Sequence, residues 1–194
     1  MQKCKRIVMI LLIVAMAGNI LFFGFYMFRE KRTGGTSPMY HISEEGREFI
    51  VQTFGHYNTM EELIRAIEIY EWKNFTYDEG YRMGIVQGFR FDTFLEQESG
   101  VCWELAAFGK CVIGEISKLK DWDVANYILD IRYQDDFFKT HSYNYVIMDD
   151  GIYVFDLTTA VTKGKSVLHR IEGDSLDDIY AYAKSLGERP YRVQ

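Results

Sequence analysis

An uncharged apolar run near the N-terminus constrains this 194-residue chain more than any other feature. The run extends from Ile7 to Phe28 and is 22 residues long. As a helix it would measure about 33 Å, which is enough to cross a hydrocarbon core of roughly 30 Å. A basic N-terminal tail, residues 1–6, precedes it. The pattern predicts a single-pass transmembrane signal anchor at residues 7–28, inserted in the cell membrane.

The flanks of this run bear on its processing and orientation. Ala15-Met16-Ala17 resembles a signal-peptidase site, so a cleaved and released form is the alternative to an anchor. The apolar run continues for eleven more residues after that site, which favours an uncleaved anchor. Both flanks are basic, so charge alone does little to predict the orientation of the segment in the membrane. The short basic tail favours an N-in, C-out arrangement, with the rest of the chain outside the cytoplasmic membrane.

The charge balance changes sign after the run. Residues 1–32 contain six Lys or Arg and one acid, which leaves 16 basic and 27 acidic residues in 33–194, a net charge of −11. Such an acidic surface argues against a nucleic-acid partner. Small polar residues with Gly and Pro indicate a linker at 29–42. The remaining length suits one globular domain, residues 43–194.

Helix signals come first in this domain and strand signals follow. Ser43 and Gly55 delimit one predicted helix, and Thr59 opens a capping box for a second. A third helix begins near Cys102, and a last one lies between Ser175 and Gly187. Alternating apolar residues predict three strands, the last two joined by an Asp-Asp-Gly turn: 124–133, 143–147 and 152–157. Helices followed by an antiparallel sheet predict an α+β fold.

Two cysteines lie in the predicted domain, on the same helix. Cys102 and Cys111 are nine residues apart, which places them on opposite faces and about 13.5 Å apart along the axis, too far for a disulfide. Cys111 falls among apolar residues and is predicted to be in the core. Cys102 begins the helix, where free N–H groups and a partial positive charge favour a thiolate. Its backbone N–H is also placed to face a developing oxyanion.

A cysteine nucleophile needs a base, and the base needs an orienting acceptor. His141 opens the second strand, and Asp156 is predicted to lie on the third. A tight turn pairs odd positions with even ones, so these two residues share one face of adjacent strands. The spacing thus makes Cys102, His141 and Asp156 a candidate triad. The alternative is that His141 caps a strand and Asp156 is a solvated edge residue.

Three segments resemble the transglutaminase-like superfamily. Residues 99–107 (SGVCWELAA) resemble its nucleophile segment, in which Gly-x-Cys opens the central helix. Residues 141–146 (HSYNYV) and 149–156 (DDGIYVFD) resemble its His and Asp segments. Residues 74–78 (NFTYD) resemble the stretch that leads into the core. The Leu-Thr pair after Asp156 departs from the commonest ending.

The resemblance implies a papain-like α+β core, in which the nucleophile-bearing central helix packs on an antiparallel sheet after one N-terminal transmembrane helix. Together with the predicted anchor at 7–28, it indicates a membrane-anchored bacterial enzyme with a protein or peptide substrate. Cys102 would attack a carboxamide or peptide carbonyl, His141 would activate the thiol and protonate the leaving amine, and Asp156 would hold the imidazole tautomer. Hydrolysis and transfer to an amine both remain open. The alternative function is a catalytically silent domain that binds a peptide or cell-envelope partner.

Two further residues are weaker candidates. Gln97 is similar to the oxyanion-hole glutamine of papain-like enzymes, although a solvated loop position explains it better. Trp103 would wall the substrate groove, or else pack the central helix as a buried aromatic. The His residues are isolated and no paired-cysteine motif is present, so we predict no metal site and expect no cofactor.

Overall fold

The computed structural model describes residues 40–78, 88–133 and 140–194. The predicted basic tail (1–6), the predicted anchor (7–28) and residues 29–39 of the predicted linker lie outside these ranges. Among the described residues, no helix is both long and apolar enough to cross a membrane.

The described residues form six helices and nine strands. The helices are α1 (Glu44–Phe54), α2 (Met60–Asn74), α3 (Phe91–Gln97), α4 (Cys102–Lys120), α5 (Leu157–Lys163) and α6 (Leu176–Ser185). The strands are β1 (Tyr40–His41), β2 (Thr76–Tyr77), β3 (Phe89–Arg90), β4 (Ser99–Gly100), β5 (Ala125–Tyr133), β6 (Thr140–Met148), β7 (Gly151–Phe155), β8 (His169–Ile171) and β9 (Glu188–Val193). Helices dominate the first half and the main sheet the second, as predicted for an α+β fold.

Five strands form an antiparallel sheet in the order β8-β7-β6-β5-β9. The β6–β7 hairpin pairs Asn144 with Phe155 and Met148 with Gly151, so odd positions face even ones as predicted. Two short parallel pairs, β1–β3 and β2–β4, connect the chain segments that precede α4. The register of the hairpin therefore places the beginning of β6 beside the chain that leaves β7.

Helices cover both faces of this sheet. α4 packs against β5 and β6, and its most deeply buried side chains include Leu105, Phe108 and Ile116. On the opposite face, Ile179 and Ala183 of α6 join a second apolar cluster with alternate residues of the strands. Burial of each large apolar side chain contributes about 1.5–3 kcal/mol. The helix that begins with Cys102 is thus held rigidly against the sheet.

Most predicted elements are confirmed by the structure. Ser43 caps α1 by accepting the Gly46 N–H, and the Thr59–Glu62 capping box opens α2. The third predicted strand is the exception, because β7 ends at Phe155 and Leu157 begins a helix, α5, that the sequence pattern did not predict. The alternating apolar residues of β7 lead directly up to Asp156, so the strand pattern obscured the N-cap signal at this residue. Asp156 is the N-cap of α5, and its carboxylate accepts the Thr159 N–H.

Two glycines of α4 provide a matched test of how closely this helix packs. A Cβ atom on Gly109 would lie 2.5 Å from Leu157 Cδ1, whereas one on Gly114 would meet nothing within 4 Å. We expect Gly114→Ala to stabilise the protein by about 0.5–1 kcal/mol, because alanine favours helix. Gly109→Ala should destabilise it by about 1–3 kcal/mol, because the site is full. Urea unfolding measures both, and a stabilised Gly109→Ala variant would contradict the packing.

Candidate active site

Cys102 is the first residue of α4 and is a free, partly exposed cysteine. Val101 precedes it in extended conformation, and its N–H donates to Glu104 Oε2 at 3.0 Å, which fixes the entry of the chain into the helix. N–H groups in the first turn have no acceptor within the helix, so the thiol lies at a positive helix end. The predicted position of Cys102 at the start of the helix is confirmed.

Gly100 allows this segment to approach its neighbours closely. It pairs with Tyr77 through the short β2–β4 ladder. A Cβ at this position would lie 2.5 Å from a ring carbon of Phe94 and 3.0 Å from the Glu104 side chain. Real Cβ atoms are not found that close to a buried ring. Packing around position 100, two residues before Cys102, therefore requires a residue without a side chain.

His141 is the second residue of β6 and pairs with Ile131 of β5. Its Nε2 lies 3.1 Å from Asp156 Oδ2, and both side chains are about nine-tenths buried, at 12% and 11% exposed. The Cys102 side chain is within hydrogen-bonding reach of the same imidazole. Because Asp156 occupies Nε2, Nδ1 is the ring nitrogen left for the thiol. The structure therefore brings the three predicted residues together.

Asp156 is held in place from its other side. Oδ2 accepts the Thr159 hydroxyl at 2.7 Å and Oδ1 accepts the Thr159 N–H at 3.2 Å. The carboxylate is thus oriented by the helix that it caps while it contacts His141. The interpretation of Asp156 as a solvated edge residue is wrong, and so is that of His141 as a strand cap, because His141 lies within a paired strand.

The pKa values of this pair move in opposite directions. Burial alone would lower the pKa of His141, but its hydrogen bonds to Asp156 and Cys102, and their charges, raise it to about 9. Burial would raise the pKa of Asp156, but the hydrogen bond and charge of His141 outweigh it and hold this pKa below its usual value. At neutral pH the pair is an imidazolium beside a carboxylate.

A buried asparagine ties the strand of His141 to the helix of Cys102. The Asn144 side chain is 0% exposed, and its Nδ2 donates to the Ala106 carbonyl at 2.8 Å. Asn144 lies on β6 three residues after His141, and Ala106 lies one helical turn after Cys102. This hydrogen bond limits sliding of β6 along α4. Such sliding would separate the Cys102 thiol from the His141 imidazole.

Trp103 and Gln97 have different positions. Trp103 is partly buried, its Nε1 donates to Gln194 Oε1 at 3.0 Å, and its ring meets the ring of Phe89 edge-on. The structure therefore favours the packing interpretation for Trp103. Gln97 is the last residue of α3 and is exposed. Its contribution to an oxyanion hole stays a prediction.

Two polar residues that the sequence pattern did not single out lie beside His141. The Tyr143 ring meets the imidazole edge to face, with the ring centroids 4.7 Å apart. The Tyr143 hydroxyl donates to Glu188 Oε1 at 2.9 Å. Tyr143 follows His141 on the same face of a predicted strand, which was an available signal. Glu188 comes from β9, and no local pattern indicates its position.

Within the described ranges, no group of three or more His, Cys, Asp or Glu side chains could hold a metal ion. The cysteines that the structure describes, Cys102 and Cys111, are both free, as their spacing predicts. Cys111 is buried in the core, also as predicted, and burial raises the pKa of its thiol far above the usual range.

Comparison with known proteins finds matches among solved structures. No family model and no curated protein matches this chain. A proposed cysteine protease from Cytophaga hutchinsonii has 15% identity and a TM-score of 0.49, over 84% of this chain and 53% of its own. A proposed protease from Parabacteroides distasonis has 12% identity and a TM-score of 0.42, over 66% and 27%. A TGase has 11% identity and a TM-score of 0.44, over 87% and 44%.

The descriptions of these neighbours name two proposed proteases and a TGase. This chain spans about half or less of the length of each of them. Because each TM-score is below 0.5, the chemistry of this site has to follow from its own residues.

Proposed function

We propose that this chain is a membrane-anchored, transglutaminase-like cysteine enzyme that cleaves or transfers an acyl group at a peptide or carboxamide bond. The observation that carries the proposal is the 3.1 Å contact between His141 Nε2 and Asp156 Oδ2, with Cys102 within reach of the same ring. The membrane location rests on the apolar run at 7–28, and the basic N-terminal tail favours a catalytic domain outside the cytoplasmic membrane.

The proposed reaction begins with the thiolate of Cys102. Its sulfur attacks the carbonyl carbon, and the carbonyl electron pair moves to oxygen beside the free N–H groups at the start of α4. The imidazolium of His141 gives its proton to the leaving amine as the C–N bond breaks, leaving a thioester on Cys102. Water or an amine then attacks the thioester while His141 accepts its proton, and the thiolate leaves.

The charge state of His141 supports this order of events. A pKa of about 9 keeps the imidazole protonated at neutral pH, so a general acid is ready before the substrate binds. Asp156 stabilises the imidazolium and fixes which ring nitrogen faces the thiol.

Alkylation of Cys102 by iodoacetamide tests the thiolate–imidazolium pair without a known substrate. In the full chain we expect Cys102 to label at pH 6 at least about tenfold faster than in a His141→Ala variant, because the variant lacks the imidazole that contacts and activates the thiol. Peptide mass spectrometry separates Cys102 from Cys111, whose burial should keep it unlabelled and make it an internal control.

Equal labelling rates in the two proteins would contradict the proposal. That result would point to the catalytically silent binding domain. A fast rate that depends on His141 would justify a screen of amide substrates with and without added primary amines, in which products distinguish hydrolysis from transfer.

A further inference from the structure

Glu188 is a buried carboxylate that the proposed triad does not use. It is the first residue of β9 and only 5% exposed. Its Oε1 accepts the Tyr143 hydroxyl, while Oε2 is buried and has no hydrogen-bond partner among the described residues. An acidic side chain left half satisfied in a protein interior is costly, and such groups are concentrated at functional sites.

Tyr143 connects this carboxylate to the imidazole. The edge of one ring meets the face of the other at 86°, with the centroids 4.7 Å apart, so Tyr143 forms a wall against His141. The hydrogen bond to Glu188 at 2.9 Å fixes the far end of the same tyrosine. A shift of the Glu188 side chain would therefore free the tyrosine ring, and with it one wall of the imidazole site.

The described titratable groups around His141 come from several elements. Cys102 lies on α4, Asp156 caps α5, Tyr143 is on β6 itself and Glu188 is on β9. Tyr133 of β5 lies among the same groups and interacts with Tyr143. Among these, only Asp156 and Glu188 are carboxyl groups. Glu188 is thus the second acid placed to act on the imidazole.

We propose that Glu188 is a positioning residue for His141: it orients Tyr143 against the imidazole and places a second negative charge near the ring, which stabilises the imidazolium. This inference rests on the proposed function. Burial raises the pKa of Glu188, while the hydrogen bond from Tyr143 and the charge of His141 act in the opposite direction. Because such coupling is reciprocal, ionised Glu188 must favour protonated His141 to the same extent.

A Glu188→Gln substitution tests the charge separately from the hydrogen bond. The amide oxygen can still accept from Tyr143, but the negative charge is gone. In the full chain with isotope-labelled histidine, NMR titration of His141 is expected to show its pKa lowered by about 0.5–1 unit. Glu172→Gln is the matched control, because Glu172 is exposed and its replacement removes the same formal charge.

A second variant keeps the inference testable if Glu188→Gln folds poorly. Tyr143→Phe retains the ring but leaves both oxygens of Glu188 without a donor among the described residues, which favours the neutral acid. The pKa of His141 should again fall, and thermal melting reports whether each variant is folded. A shift in the pKa of His141 no larger than the shift in Glu172→Gln would overturn the proposed role of Glu188.

Asp156→Asn distinguishes this failure from failure of the triad. If the pKa of His141 responds to Asp156→Asn but not to Glu188→Gln, the triad stands and the inference on Glu188 is wrong. If it responds to neither, the proposed active site itself is wrong.

Discussion

Replacing Asp156 with alanine is expected to slow alkylation of Cys102 at pH 7 by about 10- to 100-fold and to destabilise the protein by about 2–4 kcal/mol. The slower labelling follows because His141 loses the carboxylate that holds its ring and its proton. The destabilisation has two sources. One is the lost N-cap of α5, which contributes about 1 kcal/mol, and the other is the lost ion pair with buried His141.

The ion-pair contribution depends on pH. The pKa of His141 is about 9 in the folded protein, above its ordinary value of 6.5. The stabilisation is therefore fully present below pH 6.5 and is lost as the pH rises through 9. A pKa difference of this size corresponds to a stabilisation of the folded protein by about 3 kcal/mol at most. The gap in free energy of unfolding between wild type and variant should therefore narrow between pH 6.5 and 9.

Two related substitutions separate these contributions. Asp156→Asn retains a good N-cap but loses the charge. It should therefore lose the pH-dependent stabilisation by the ion pair and keep most of the stabilisation by the N-cap. Thr159→Val removes the hydroxyl that donates to Asp156 but leaves the ion pair with His141 intact. Urea unfolding at pH 6 and pH 9 measures all three variants. A gap that stays constant with pH for both Asp156 variants would contradict the imidazolium–carboxylate pair.

The second large effect is expected at Glu71, where a neutral residue should make the protein more stable at alkaline pH. Glu71 lies on α2 and is 0% exposed, and neither carboxylate oxygen has a hydrogen-bond partner among the described residues. Burial raises its pKa well above 4.5, and the charges of Glu68 and Asp156 raise it further. The folded protein therefore keeps the proton after the unfolded chain has released it.

The sign of the pH effect follows from this raised pKa. The contribution of Glu71 to stability is greatest below pH 4.5 and falls as the pH rises through the folded-state pKa. Glu71→Gln should match wild type within about 1 kcal/mol at pH 4.5 and exceed its stability by about 2–4 kcal/mol at pH 9, because an amide carries no charge to desolvate. Urea unfolding across this range measures the effect.

Glu61→Gln is the matched control on the same helix. Glu61 is exposed and forms an i,i+4 pair with Arg65, so its replacement should cost no more than about 0.5 kcal/mol. Parallel stability curves for wild type and Glu71→Gln would show that the Glu71 carboxyl is solvated or paired in the folded protein. Burial would then not raise the pKa of this carboxyl, and the expected gain in stability at alkaline pH would be wrong.

Local sequence signals were sufficient to predict the frame of the candidate site. Ser99-Gly100 before Cys102 marks the start of a helix, and the Asp-Gly turn sets the register of β6 against β7. Together these two local features put Cys102 at a helix N-terminus and brought Asp156 near His141, although Asp156 caps α5 and does not lie on the strand as predicted. Capping, turn geometry and strand alternation act between residues close in sequence, which is why a single sequence reveals them.

The tertiary structure alone decided how this site is supported. Glu188 reaches Tyr143 across 45 residues, and only the antiparallel pairing of β9 with β5 places it there. The burial of Glu71 likewise could not be predicted from the sequence. Helical spacing puts it on the buried face of α2 with Ile64 and Ile67, yet a glutamate at such a position is expected to be exposed. The sequence determines where each side chain can point, but burial and partners depend on the segments packed above it, which local pattern does not encode.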